Sequence, residues 1–401
     1  MTTTAAQRFQ ALLSRGARMG PRAMPRSGPT IYKFGAGNPD PGSFPYQELV
    51  QAMADVMELD GAHALSYGSA HGYDGLRDLV VEKYRLLEGL QTSRDNILIA
   101  NGSNQAIALV VGAFVDEGDP VICEAPTYMA SIQTLRRHGA DLIGIEVDGE
   151  GMRTDLVAER LGELKRSGRQ CKLIYTIAQF QNPAGPTLSE RRRRELVELA
   201  REHNVMILED DAYGELRYEG QAPPSIFSLD PDGLVCRTGT LSKILGPGVR
   251  IGWVVAPPAL VPYLSAFNFG GGVAPLTSRV CTFYLRAHLQ AHVAELVDIY
   301  RAKRDAMLDE LERGLADTDA SWSRPEGGFF IWLKLPSRTD LQRLSQLAAA
   351  AGVGYNPGPI FMANGGGEEY IRLAYSFEAP AEIREGTRLL CRAIKGARTT
   401  A

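Results

Sequence analysis

Between residues 97 and 208 the chain alternates short apolar runs with longer segments of helical spacing. The runs are Ile97–Ala100, Val121–Cys123, Leu142–Val147, Leu173–Ile177 and Val205–Leu208. Between them lie Ala106–Phe114, Met129–His138, Asp155–Leu164 and Ser189–His203. Short strands that lack a polar face are buried on both sides, and successive parallel strands need a helical crossover. The pattern predicts an α/β fold: a mainly parallel sheet with helices on both faces. Ligands of such sheets bind outside the carboxyl ends of the strands. Polar loops follow these strands, so they can converge on one face.

The chain has 401 residues, too many for one small core. After residue 285 the pattern changes. A long amphipathic segment, Ala291–Leu315, is followed by a strand at Gly327–Leu333, a helix at Leu341–Ala351, a strand at Tyr370–Ala374 and a helix at Ala381–Ile394. The expected division is an N-terminal arm over 1–45, a large domain over 46–285 and a smaller α+β C-terminal domain over 286–401. Within the arm, Ala5–Ser14 suits a short helix. Gly20–Pro29 is rich in Pro, Arg and Gly, and such arms are often ordered only against another subunit.

The net charge of −4 asks for neither nucleic acid nor an anionic membrane as partner. No apolar run reaches the roughly 18 residues of a membrane span. The five cysteines are scattered, with no CxxC pair, and read as buried thiols of a reducing compartment. Met1–Gly20 holds no apolar signal-peptide core, so the expected location is cytoplasmic.

The chemistry-bearing residues sit in the loops. Thr240-Leu241-Ser242-Lys243 stands between two apolar runs, and Arg250 follows seven residues later. Lysine forms Schiff bases with carbonyls, and hydroxyls with arginine suit a phosphate. Gly102-Ser103-Asn104 opens a helix after a strand, which makes either an anion site or an ordinary serine cap. Tyr128 can stack on a flat heteroaromatic or fill core space. Asn182, in Asn182-Pro183-Ala184-Gly185, offers a donor to a phenolate-like oxygen or simply starts a turn. Glu209-Asp210-Asp211 places three carboxylates at the end of a buried strand, which is unfavourable unless a cation is near. A pyridinium nitrogen or a divalent metal would serve, and the lack of clustered histidines disfavours the metal. Arg372 lies in an apolar strand and needs an anion unless it faces solvent. His288 and His292 have i, i+4 spacing but lack the Glu of an HExxH zinc motif.

In order along the chain, G-S-N, A-P-T-Y, N-P-A-G, D-D-A-Y, T-L-S-K with its later arginine, P-G-P-I-F and Y-I-R-L-A-Y-S resemble the fold type I pyridoxal phosphate enzymes of the class I/II aminotransferase group. The nearest look is to 2-aminoadipate and kynurenine aminotransferases and to the catalytic domain of MocR-type regulators, from about Ile31 to Ile394. No helix-turn-helix segment is legible before residue 31, so the enzyme is expected rather than the regulator.

The resemblance implies a seven-stranded, mainly parallel sheet and pyridoxal 5'-phosphate as cofactor. Lys243 is similar to the lysine that holds the cofactor as a Schiff base and shuttles protons. Asp210 matches the partner of the pyridine nitrogen, and Tyr213 and Asn182 match the residues that bond the ring oxygen. Tyr128 matches the stacking aromatic. Ser103, Asn104, Thr240, Ser242 and Arg250 match the phosphate cradle. Tyr67 looks like the tyrosine that reaches the neighbouring subunit's phosphate, which implies a homodimer with shared sites. Arg372, with the backbone of Gly37, is similar to the clamp for a substrate carboxylate.

Two departures stand out. Thr240 replaces the usual first serine, and Asn268–Leu276 carries three glycines, which suggests an unusually roomy substrate pocket around Gly270–Gly272. The expected reaction moves an amino group between an amino acid and a 2-oxo acid. The alternative on the same cofactor is a lyase-type outcome, by β-elimination, decarboxylation or oxidative deamination. A non-enzymatic binding protein would have no use for the full lysine, aspartate and arginine set.

Overall fold

The apolar runs pair into one sheet, as their alternation requires. The computed structural model describes residues 12–18, 30–268 and 272–398. Strands are numbered in chain order: β1 Tyr32–Lys33, β2 Ile97–Ala100, β3 Pro120–Ala125, β4 Asp141–Asp148, β5 Gly151–Met152, β6 Leu173–Thr176, β7 Met206–Asp211, β8 Val235–Thr240 and β9 Gly252–Val255. The large sheet has the order β2-β9-β8-β7-β6-β3-β4-β5. Its centre is parallel, while β9 runs antiparallel to both of its neighbours. The sheet is therefore eight-stranded rather than seven-stranded. The extra member is β5, a two-residue return on β4. It turns at Gly149 and Glu150 into Gly151, whose φ of 93° favours glycine.

A second sheet comprises β10 Ser321–Trp322, β11 Phe330–Lys334, β13 Asn356–Pro357 and β14 Tyr370–Ala374, in the order β10-β11-β14-β13. The remaining strand, β12 Val353–Gly354, pairs in parallel with β1. The N-terminal segment is thereby tied to the C-terminal part of the chain. The helix expected from Ala291 starts at Pro275 and continues unbroken to Leu315. It packs on helices Tyr46–Ala64 and Pro380–Gly396, and the expected boundary at residue 285 falls within it. Most of Ala5–Ser14, all of Gly20–Pro29, and Gly270 with Gly271 lie outside the described residues. Gly272 sits where an added Cβ would be 2.6 Å from the Ser69 carbonyl oxygen.

The strand containing the acidic triplet continues further than its apolar run. The apolar run ends at Leu208, but Glu209, Asp210 and Asp211 all belong to β7, in register with β8. They stay in a buried strand because each carboxylate has dedicated partners. Side chains alternate across a sheet, so Glu209 and Asp211 share one face and Asp210 takes the other. Glu209 accepts the N–H groups of Ile226 and Phe227 at 3.1 and 3.0 Å and lies 3.4 Å from Arg193. Asp211 accepts from Arg237 Nη2 at 2.5 Å. Burial pushes the Asp211 pKa up, but Arg237 and then Lys83 outweigh it, and the carboxyl stays below its usual range.

Breaking a buried pair on one side leaves an uncompensated charge, at about 3–5 kcal/mol. Arg237→Met is therefore expected to lower the thermal unfolding midpoint of the apoprotein. An unshifted midpoint would show that Asp211 finds its counter-charge elsewhere.

Candidate active site

Loops at the carboxyl ends of β2, β3, β6, β7 and β8 meet the N-terminal segment and β14 around one cavity of about 1000 Å³. Lys243 stands in it, on the turn after β8. The turn is held from behind. Thr240 Oγ1 donates to the Ile251 carbonyl at 2.9 Å, accepts the Ser242 N–H at 3.1 Å and lies 2.9 Å from Ser242 Oγ. His292 reaches from the long helix, its Nε2 2.6 Å from the Ile244 carbonyl. This histidine serves the lysine loop. No group of three or more potential metal ligands gathers among the described residues.

Lys243 Nζ donates to the Gly37 carbonyl at 2.9 Å and lies 5.4 Å from the centre of the Tyr213 ring. Burial, then the Arg372 guanidinium, push its pKa down to about 8, and Asp210 only partly opposes them. The amine is thus close to its neutral, nucleophilic form near physiological pH.

Asp210 is the one carboxylate of its triplet that faces the cavity, and no guanidinium bonds it. Its Oδ2 accepts from the Tyr175 hydroxyl at 2.7 Å, and its Oδ1 accepts from Thr238 at 3.1 Å. Burial raises its pKa to about 6, against the pull of those two hydroxyls. A buried carboxylate held only by neutral donors suits a cationic ligand group.

At the other end of the cavity, helix Ser103–Phe114 begins after Gly102, whose φ is 81°, and no side chain caps it. Its first N–H groups therefore remain available to an anion. Arg250 Nη2 donates to the Asn101 carbonyl at 2.8 Å, and a Cβ on Gly102 would lie 2.6 Å from that nitrogen. The glycine is what lets the guanidinium approach. Ser103, Asn104, Ser242 and Arg250 all line the cavity. Asn104 also hydrogen-bonds the Tyr128 side chain, which is partly buried at the cavity wall.

Arg372 occupies the middle of β14, in register with Trp332 on one side and Asn356 on the other. Nη1 donates to Asn182 Oδ1 at 2.9 Å and Nη2 to the Gly35 carbonyl at 2.7 Å, while Nε is buried without a partner. The guanidinium lies 4.0 Å from the Phe330 ring centre and 4.7 Å from that of Phe361. Burial pushes its pKa down to about 10, and no carboxylate pairs with it among the described residues. Asn182 gives its oxygen to Arg372, which leaves its amide N–H groups for the cavity.

Two expected residues lie elsewhere. Thr240 is buried behind Ser242 and does not line the cavity. Its hydroxyl is committed to the turn, so its smaller difference from serine is explained by a supporting place. Tyr67 is 98% exposed on the surface of this chain. Several residues escaped the sequence reading: Tyr175 and Thr238 behind Asp210, Phe330 over Arg372, and Asn356, which donates to the Gly35 carbonyl at 2.8 Å. A tyrosine in an apolar strand was the available signal, since a buried phenol seeks a partner.

The donor set fits pyridoxal phosphate. An uncapped helix start with Ser242 and Arg250 suits its phosphate, Asp210 suits a protonated ring nitrogen, and Lys243 suits its aldehyde. Fold and site together define a fold type I pyridoxal phosphate enzyme. Residues 29–388 match the family "Aminotransferase class I and II", and the chain belongs to it.

The chain is 37% identical to aromatic-amino-acid aminotransferase 1 of Thermococcus litoralis, over 91% of this chain and 88% of that one. It is 34% identical to 2-aminoadipate transaminase of Thermus thermophilus, over 92% and 91%. Among solved structures, kynurenine aminotransferase of Pyrococcus horikoshii superposes with a TM-score of 0.92 at 34% identity, covering 99% of this chain and 100% of that one. The protein is a pyridoxal phosphate-dependent aminotransferase, and these relatives support transamination rather than the lyase alternative.

Proposed function

We propose that the enzyme moves the amino group of an aromatic or long-chain 2-amino acid to a 2-oxo acid, with Arg372 receiving the substrate carboxylate. The observation that carries this reading is a buried guanidinium with an unpaired Nε and no carboxylate partner, facing the same cavity as Lys243. The names of the relatives, which cover aromatic amino acids, 2-aminoadipate and kynurenine, support the substrate range.

Pyridoxal phosphate, when bound, supplies an electron sink for the pair released at the substrate Cα. The chain does the rest. Ser103, Asn104, Ser242 and Arg250 would hold the phosphate, and Tyr128 would lie against the ring. Asp210 keeps a proton at the ring nitrogen. Asn182 and Tyr213 bond the ring oxygen. Lys243, whose pKa is lowered to about 8, accepts and returns the Cα proton in its neutral form. Phe330 and Phe361 keep water from the guanidinium, which strengthens its grip on a carboxylate.

A ¹⁵N-labelled amino acid panel, each member mixed with 2-oxoglutarate and the holoenzyme, tests this directly. Mass spectrometry should find label in glutamate, and fastest from aromatic or 2-aminoadipate donors. Release of labelled ammonia or of CO2, with no glutamate formed, would overturn it. Arg372→Leu is expected to raise KM for the amino acid about 100-fold by removing a charge-assisted pair of bonds. Arg372→Lys should recover only part of that loss, because an ammonium lacks the planar fork. An unchanged KM in Arg372→Leu would move the carboxylate site elsewhere.

A homodimer with shared sites belongs to the same proposal. Tyr46, Val50, Met53 and Met57 form an exposed apolar stripe at helical spacing on Tyr46–Ala64, and exposed Leu65 and Tyr67 follow it. A second copy covering this face would bring the partner's Tyr67 to the phosphate. Light scattering of the holoenzyme reads the mass. The buried free cysteines support a reducing, cytoplasmic setting. No helix among the described residues is long and apolar enough to cross a membrane.

A further inference from the structure

Behind Asp210 lies a chain of hydroxyls that the reaction as described does not use. Tyr175 stands on β6, between β3 and β7, and is fully buried. It is in register with Leu208, two residues before Asp210 and on the same face. Its hydroxyl is 2.7 Å from Asp210 Oδ2 and 2.8 Å from Ser131 Oγ. Ser131 is itself buried, and its N–H donates to the Tyr128 carbonyl at 3.1 Å in the first turn of helix Met129–Arg137. One set of bonds thus joins the helix that carries Tyr128 to the carboxylate assigned to the ring nitrogen.

The direction of these bonds matters. A phenol has one proton to give and two lone pairs to receive. With Asp210 ionised, Tyr175 donates to it, Ser131 donates to Tyr175, Thr238 donates to the other oxygen, and every buried group is satisfied. With a proton on Asp210 Oδ2, that proton would point at the Tyr175 oxygen. The Tyr175 proton would then have to turn to Ser131 Oγ, and the Ser131 proton would lose its acceptor in a buried place, which is unfavourable. The phenol itself holds its proton, since burial and then the Asp210 charge keep its pKa well above the usual tyrosine value.

We propose that Tyr175 is a positioning residue for the cofactor: oriented by Ser131, its hydroxyl keeps Asp210 ionised and aimed, so that the pyridine nitrogen and not Asp210 carries the shared proton. This rests on Asp210 being the ring-nitrogen partner. Tyr128, Tyr175 and Thr238 then act as one unit, the first against the ring and the other two setting the acceptor strength of the carboxylate. Removing the Tyr175 donor makes Asp210 more basic, draws the proton toward it and weakens the electron sink.

The test is to load apoprotein with pyridoxal phosphate labelled with ¹⁵N in the ring and to record the nitrogen shift by NMR. Cofactor affinity is followed in parallel by tryptophan fluorescence. Wild type should show a protonated ring nitrogen. Tyr175→Phe should move the signal toward unprotonated pyridine and weaken cofactor binding about tenfold, the scale of one bond to a charged group. Ser131→Ala should move the signal the same way by less, since Tyr175 keeps its donor but loses its orienting partner. This milder variant decides the matter if Tyr175→Phe fails to fold. Asp210→Asn separates the two ideas. If it leaves the signal unmoved, Asp210 is not the nitrogen partner. If it moves the signal while Tyr175→Phe and Ser131→Ala leave the signal and affinity at wild-type values, the Tyr175 proposal is overturned and the Asp210 assignment stands.

Discussion

Lys243→Ala is expected to lower kcat by about 10⁴-fold or more, because it removes the nucleophile and the proton carrier together. The cavity that remains keeps Asp210, Ser242 and Arg250, so the cofactor should still bind, but without covalent retention. Dialysis separates the two states: wild type stays yellow, and Lys243→Ala loses its colour. Lys243→Arg should be as inactive as the alanine variant, since guanidinium stays protonated at every accessible pH. In wild type, the rate of covalent cofactor loading should climb as pH rises through about 8, where the Lys243 amine loses its proton. Turnover retained in Lys243→Ala would remove the centre of the assignment.

Asp210→Asn comes next in size. The change keeps shape but removes the only charge on its face of β7, and an amide cannot hold a proton on a ring nitrogen. A loss of about 10³-fold in kcat is expected, in the range seen when one preorganised electrostatic partner is deleted. KM should move much less, because the carboxylate site proposed at Arg372 and the phosphate site proposed at Arg250 are untouched. The neighbouring acids supply the control. Asp211→Asn alters a charge one residue away that faces Arg237 instead of the cavity. It should cost stability more than kcat. Equal kcat losses for both substitutions would mean that the two faces of the strand are not electrically distinct.

The triplet also shows how far the sequence could be read. Three acids after an apolar run announced a cation, and the prediction of a pyridinium rather than a metal followed from the absence of histidines. Their division of labour was not legible. It depends on β7 continuing through all three and on Arg193 and Arg237, which come from other elements to meet two of them. Lys243, Ser242 and Arg250 were legible because they share one short loop. Asn182 and Arg372 were found singly, but their mutual bond joins residues 190 positions apart and has no local signature. Tyr175 was hidden for a related reason: in an apolar strand its ring reads as packing, and only the fold reveals what its hydroxyl touches. The extra strand β5 rests on a two-residue return, too short for any periodicity to show.

The carbonyl of Gly35 accepts from Arg372 and Asn356, and that of Gly37 accepts from Lys243. A ribosome makes residues 35–37 long before it makes residue 372. The end of the site proposed to bind the substrate therefore cannot exist on a nascent chain that has folded its large sheet but still lacks β14. The sheet, the lysine loop and the phosphate cradle are all complete by residue 255, whereas the guanidinium and the strand that holds it arrive more than a hundred residues later. Capture of the cofactor by the lysine loop needs no part of β14, whereas the proposed grip on the amino acid does, so the two abilities can arise at different moments of folding.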